Sequence, residues 1–170
     1  MSEPEIIEQE LAPFVKQKFL EYAEETIVAR ALAKVQDGLK PAQRYTLHAM
    51  GRMGLKNSGM TRKCAKVVGQ VISEFSPHGD QSAYEALVGL AEPWSKRYPL
   101  ITFQGNCGSV DGDGPAAMRY TECKLSKIGE SMLEGLDKNA VQMNSNYDNT
   151  TTEPTMLSGL FPNYICNGRR

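Results

Sequence analysis

A chain of 170 residues is long enough for one domain with a buried core, and a hydrophobic share of 41% excludes a disordered chain. No apolar run approaches the roughly 20 residues of a membrane span, and the acidic start Ser2-Glu3-Pro4-Glu5 does not read as a secretory signal. The net charge of −1 argues by itself against a nucleic-acid partner, yet residues 27–66 hold nine Lys/Arg and one acid, a net +8, against ten basic and nineteen acidic groups elsewhere. Such a segment is an electrostatic footprint for a polyanion, with a plain solvated basic face as the alternative. Cys64, Cys107, Cys123 and Cys166 are scattered, form no CxxC pair and have only His48 and His78 for company. That pattern points to reduced thiols in a cytoplasmic protein rather than to a zinc site.

In chain order, apolar residues from Ile6 to Ala31 recur at helical spacing and predict a helix over 5–35, broken or kinked at Pro13. Asp37-Gly38 is a turn, and Pro41 opens a second helix over 41–53 with Tyr45, Ala49, Met50 and Met53 inward. Gly51, Gly54 and Asn57-Ser58-Gly59 loosen the chain after it. Thr61 is placed to cap a helix to Phe75, and Asp80 one to about Glu92, across the tight turn Ser76-Pro77-His78-Gly79. Two short helices joined by a Gly-containing turn form a helix-turn-helix layout, in which the second helix reads DNA, or an ordinary αα-hairpin.

Tyr98–Phe103 reads as a strand, and a Gly-rich loop, 105–115, follows. The spacing of Met118, Leu125, Ile128, Met132, Leu133 and Leu136 predicts a helix over 117–136, and the Asn/Thr-rich residues 139–155 are expected to be irregular. The expected fold is mainly α with a small β element, an α+β winged helix. Three regions are expected: a helical arm (1–26), a winged-helix domain (27–155), and a last segment (156–170).

Arg119-Tyr120 stands directly behind the Gly-rich loop. A tyrosine can attack a phosphodiester and hold the broken strand as an ester, provided a cation stabilises the charge that builds on phosphorus. Arginine suits that task because it is always charged and its fork matches phosphate. There are seven tyrosines, and spacing alone does not gather Arg30, Lys40, Arg44 and His78 around this one.

Several motifs in register decide the matter. Arg30-Ala31-Leu32 with Asp37-Gly38-Leu39-Lys40-Pro41 and Arg44 resembles the breakage-reunion (A) subunits of the type IIA DNA topoisomerases, bacterial gyrase and topoisomerase IV. So do Ala65-Lys66-Val67-Val68-Gly69, Pro77-His78-Gly79-Asp80, Gln104-Gly105-Asn106, Asp111 through Glu122, Asn146-Tyr147-Asp148, Pro162-Asn163 and Asn167-Gly168. The resemblance covers roughly residues 15–168. It implies that Tyr120 becomes linked to a DNA 5′-phosphate, with Arg119 and Arg30 as the catalytic arginines. It also implies that Lys40, Arg44, Lys63, Lys66 and His78 line the DNA backbone, with the helix over 80–92 facing the DNA.

The same resemblance implies a homodimer at the DNA gate and an A2B2 assembly with a B subunit that carries Mg²⁺ and ATP, none being held by this chain. No GxxxxGK[ST] occurs in the sequence, and Asp111 and Asp113 read as turn residues rather than as a metal site. The isolated chain is expected to be inactive, and its last residues to be the start of a truncated tower domain. The competing reading is a catalytically idle DNA-binding winged helix from a truncated or split gene. Departures from the family pattern fall at Gln43 and Tyr45, where His and Arg are common, at Ser76, and at Gln81, commonly Ser. Gln81 and Glu85 occupy the positions that anchor fluoroquinolones in the family, and Gln81 is expected to weaken that response.

Overall fold

The computed structural model describes residues 10–168 and divides the chain into two compact units, Met1–Leu32 and Ala33–Arg170. The first contains helix α1 (Leu11–Ala31). Pro13 is its third residue, where the missing N–H is one that every α-helix leaves unpaired, so the expected break does not occur. The part of the predicted helix before residue 10 lies outside the described residues.

The second unit begins with the Asp37-Gly38 turn, where Gly38 takes φ +65°, and a Cβ there would lie 2.8 Å from the backbone of Tyr164. Helix α2 (Pro41–Arg52) starts at the proline, and Gln43 Oε1 accepts from the Lys40 amide at 3.0 Å. Strand β1 (Arg62–Lys63) leads into α3 (Cys64–Glu74), which buries Cys64, Val67, Val68 and Val71. Thr61 does not cap α3. The strand intervenes, and the Thr61 hydroxyl donates to Glu122 Oε2 at 2.6 Å. Helix α4 (Asp80–Gly89) has Gly79 as its N-cap, so Asp80 is already inside the helix, where its carboxylate accepts from the Gln81 amide. It buries Ala83, Tyr84, Leu87 and Val88 and ends before the predicted Glu92.

Strand β2 (Ile101–Gln104) begins three residues after and ends one residue after the expected strand Tyr98–Phe103. The predicted helix over 117–136 does not form. Residues 118–120 make a turn, β3 (Glu122–Leu125) follows, and only α5 (Lys127–Ser131) and a 3₁₀ turn at Leu136–Lys138 are helical. The physical reason is the alternation of half-buried Glu122 and Lys124 with buried Cys123 and Leu125, a period of two inside an otherwise helical pattern. β3 is the central strand of an antiparallel sheet in the order β1-β3-β2, with Glu122 opposite both Lys63 and Gln104. Ser126 stops the strand and caps α5, accepting from the Gly129 amide and donating to the Pro99 carbonyl.

Residues 139–155 are not irregular either. β4 (Met143–Ser145) and β5 (Thr152–Pro154) pair as an antiparallel hairpin. Asn146 organises its tip, accepting from the Thr150 amide and donating to the Glu74 carbonyl. Helix α6 (Asn163–Asn167) completes the described elements. One core joins Leu47 and Met50 of α2, Val67 and Val71 of α3, Leu87 of α4, and Leu100, Ile101 and Leu125 around the sheet. Among the described residues no helix is long and apolar enough to cross a membrane.

Candidate nucleic-acid interface

The first amides of any α-helix have no partner within the helix. In α3 two of them are met by the tyrosine turn. The Cys64 amide donates to the Thr121 carbonyl at 3.0 Å, and that of Ala65 to the Met118 carbonyl at 3.1 Å. The turn itself closes through the Tyr120 amide and the Ala117 carbonyl at 2.9 Å. The turn that carries Tyr120 is thereby fastened to the N-terminal end of α3, the positive end of its dipole.

Tyr120 is 67% exposed, and the Arg119 guanidinium lies over its ring, 4.8 Å from the centroid. That is cation–π geometry, and it keeps a fixed charge beside the phenol. The Gly-rich loop before the turn is folded on itself. Asn106 Oδ1 accepts from the Gly108 amide, the Ala116 amide returns to the Asn106 carbonyl, and the Ser109 hydroxyl donates to Asp113.

Strand β1 pairs with β3 just after this turn, with Lys63 opposite Glu122. Lys63 is exposed at the entry to α3, and its ammonium pairs with Glu122 Oε1 at 2.9 Å. The hydroxyl of Thr61 and that ammonium hold the Glu122 carboxyl below the usual carboxylate range. Lys66 is exposed on α3, and His78 is exposed in the turn between α3 and α4. Gln81 and Glu85 are exposed on α4 and bonded to each other, Nε2 to Oε1, at 2.9 Å. Lys40 is half-buried at the head of α2. Arg30 is exposed near the end of α1, in the other compact unit.

Arg44, expected on the DNA backbone, forms a buried ion pair with Asp37. Its side chain is 4% exposed and that of Asp37 is fully buried. Its Nε and Nη2 donate to the two carboxylate oxygens at 2.7 and 3.1 Å, and Nη2 also donates to the Leu39 carbonyl at 2.9 Å. Three of its five N–H groups are thus directed at Asp37 and Leu39 inside the fold.

Sequence reasoning misses two residues next to the turn. Tyr84 reads as an inward apolar position, but its hydroxyl donates to the Ala116 carbonyl at 2.5 Å and meets Thr121 Oγ1 at 3.0 Å. The available signal is chemical: a buried tyrosine needs a partner for its hydroxyl. Nothing in the helical pattern points to Thr121, which is fully buried.

Among the described residues no group of three or more His, Cys, Asp or Glu comes together to hold a metal ion. Asp111 and Asp113 are exposed on the loop, with Asp113 taken up by Ser109, and do not form a fitting donor set for Mg²⁺.

A helix pair packed with a three-stranded antiparallel sheet leaves an arginine–tyrosine step exposed beside a helix N-terminus. The family model for the A subunits of DNA gyrase and topoisomerase IV matches residues 30–170, and the chain belongs to that family. It is 51% identical over 154 residues to the DNA gyrase A subunit of Treponema pallidum, covering 91% of this chain and 19% of that protein. It is 48% identical over 163 residues to the DNA topoisomerase 4 A subunit of Caulobacter vibrioides, covering 96% and 22%. With the DNA gyrase A subunit of Thermotoga maritima the identity is 49% over 152 residues, covering 89% and 19%. The chain thus spans about a fifth of the length of these relatives.

Proposed function

We propose that this chain is the strand-cleaving part of a type IIA topoisomerase, with α3, α4 and the three-stranded sheet serving as a winged helix on duplex DNA. The observation that carries the reading is the exposed Tyr120 under the Arg119 guanidinium, at the N-terminus of α3.

The Tyr120 oxygen attacks phosphorus. A phenolic O–P bond forms and the bond from phosphorus to the 3′ oxygen breaks. In the net reaction the phenolic proton ends on the released 3′-hydroxyl. The ester bond energy is kept, so the reverse attack reseals the strand. Arg119 neutralises the charge that develops on the phosphate oxygens, and Arg30 is the second cation proposed for that task. Lys40, Lys63, Lys66 and His78 track the backbone, whose affinity is electrostatic and salt-dependent. Cutting both strands takes two tyrosines, hence two copies at the gate. Mg²⁺ and ATP are assigned to a Toprim/ATPase B subunit in an A2B2 assembly, and bound metal there would supply further phosphate charge neutralisation.

The test mixes the chain with a B subunit, Mg²⁺, ATP and supercoiled DNA, with a detergent quench. Protein-linked breaks that disappear with Tyr120→Phe are expected. DNA binding with no covalent adduct, across B subunits of both gyrase and topoisomerase IV type, would refute the cleaving role and leave an idle DNA-binding module.

A further inference from the structure

The tyrosine turn is gripped from two sides, and only one of them is α3. On the other, Tyr84 reaches from the inward face of α4 to both ends of the turn. Its hydroxyl donates to the Ala116 carbonyl, four residues before Tyr120, at 2.5 Å, and lies 3.0 Å from Thr121 Oγ1, the residue just after it. A phenol has one proton. The Ala116 carbonyl can only accept, so that proton is committed there and Thr121 must be the donor to the Tyr84 oxygen. The result is a directed relay, from the Thr121 hydroxyl through the Tyr84 hydroxyl to the Ala116 carbonyl.

The surroundings make the relay stiff. Tyr84 is 4% exposed and Thr121 fully buried. Burial raises the Tyr84 phenol above its ordinary range, which keeps the donated proton in place. Thr121 is fixed a second time through its carbonyl, by the Cys64 amide. Tyr120 itself is exposed, and its ring contact among the described residues is with its neighbour Arg119. Its backbone is held on both sides.

From this geometry we infer that Tyr84 is a positioning residue for Tyr120, fixing the turn through Ala116 and Thr121 so that the phenol meets the scissile phosphate in line. The inference rests on the cleavage reading above. It also ties α4 to the chemistry. Gln81 and Glu85, on the exposed face of the same helix, lie within one turn of the phenol that holds the nucleophile's loop. A load on that face therefore has a short mechanical path to Tyr120.

The test uses Tyr84→Phe, Thr121→Val and Thr121→Ser in the full chain. In single-turnover cleavage with saturating DNA plus a B subunit, Tyr84→Phe and Thr121→Val are expected to slow adduct formation about tenfold. The Kd for DNA should stay within about twofold, and Thr121→Ser, which keeps the hydroxyl, should restore most of the rate. Hydrogen exchange of the chain alone supplies an arm that needs no activity. The Tyr120 amide should exchange at least tenfold faster in Tyr84→Phe, while amides in the middle of α3 keep their protection. Wild-type rates and unchanged exchange at Tyr120 would overturn the inference, as would a loss of protection throughout α3 and α4 in all three variants. If the wild type forms no adduct, the cleavage reading fails by itself, and the exchange result still decides whether Tyr84 holds the turn.

Discussion

Replacing Arg44 by methionine tests whether its side chain supports the fold or contacts DNA. The Asp37 carboxylate is fully buried and takes four donors: Arg44 Nε and Nη2, the Leu39 amide at 3.0 Å and the Leu157 amide at 3.0 Å. The Asp37 carbonyl also accepts from Asn163 Nδ2 at 2.9 Å. This one residue therefore fastens the segment before α2 to residues 157–163 near the end of the chain. Arg44→Met leaves a buried carboxylate with two amide donors and no counter-charge. Breaking a buried pair from one side costs about 3–5 kcal/mol. At roughly 2–4 °C per kcal/mol for a chain of this size, the expected fall in Tm is on the order of 6–20 °C. Adding Asp37→Leu should recover only part of the loss, because the Leu39 and Leu157 amides then lose their acceptor. Calorimetry or circular dichroism measures the shift, and DNA titration between about 50 and 200 mM salt measures the electrostatic slope. For a structural Arg44 the slope of the folded variant is unchanged, whereas Lys66→Gln, at an exposed site, lowers it by about 0.9 and leaves Tm nearly untouched. An Arg44→Met protein that melts like the wild type but loses DNA affinity and slope would refute the reasoning.

Four further outcomes are expected. Burial against Phe75, with a smaller contribution from Arg52, pulls His48 down to about 4 from an ordinary 6.5. The unfolded chain thus binds the extra proton between those values, and stability should fall as pH drops from about 6.5 to 4, by at most about 3 kcal/mol. In urea melts the wild type should lose stability relative to His48→Phe as pH falls through that window, and a difference that stays constant would show that His48 is not the titrating group. Gly129→Ala would place a Cβ 2.0 Å from the Leu100 carbonyl oxygen and should destabilise by 3 kcal/mol or more, roughly the upper end for overpacking. Gly69→Ala, in mid-α3 with nothing within 4 Å of the new Cβ, should stabilise by about 0.5–1 kcal/mol, so the two thermal melts should move in opposite directions. Finally, Gln81 Nε2 occupies the Glu85 carboxylate, and on the proposed function Gln81→Ser should increase fluoroquinolone-stabilised cleavage. An unchanged drug response would remove Gln81 from that role.

Helices α2, α3 and α4 were legible because each carries apolar residues at helical spacing, with Pro41 opening α2 and Gly79 preceding α4. The stretch from 117 to 136 was not. Leu125, Ile128 and Met132 satisfy a helical period by coincidence, while the four-residue alternation that makes β3 is too short to stand out. The hairpin over 143–154 was illegible for a different reason. Its strands are polar and largely exposed, and its order comes from Asn146 bonding to Glu74 and from the Tyr45 hydroxyl meeting Glu153 at 3.0 Å, partners distant in sequence.

By itself the sequence determined the family and the Arg119-Tyr120 step, since both lie in the order and identity of short motifs. It could not tell which arginine is buried and paired and which is exposed. Arg44 and Arg119 are the same residue type, each within a family motif, and only tertiary structure separates them, because burial and the position of a partner depend on contacts far along the chain. Asp37 encloses the one, while the other lies at the surface over Tyr120. Tertiary structure also decided that Tyr84, an apparently apolar helix position, is a buried hydrogen-bonding residue. Its two partners lie more than thirty residues away in the chain and meet it only where α4 packs beside the tyrosine turn.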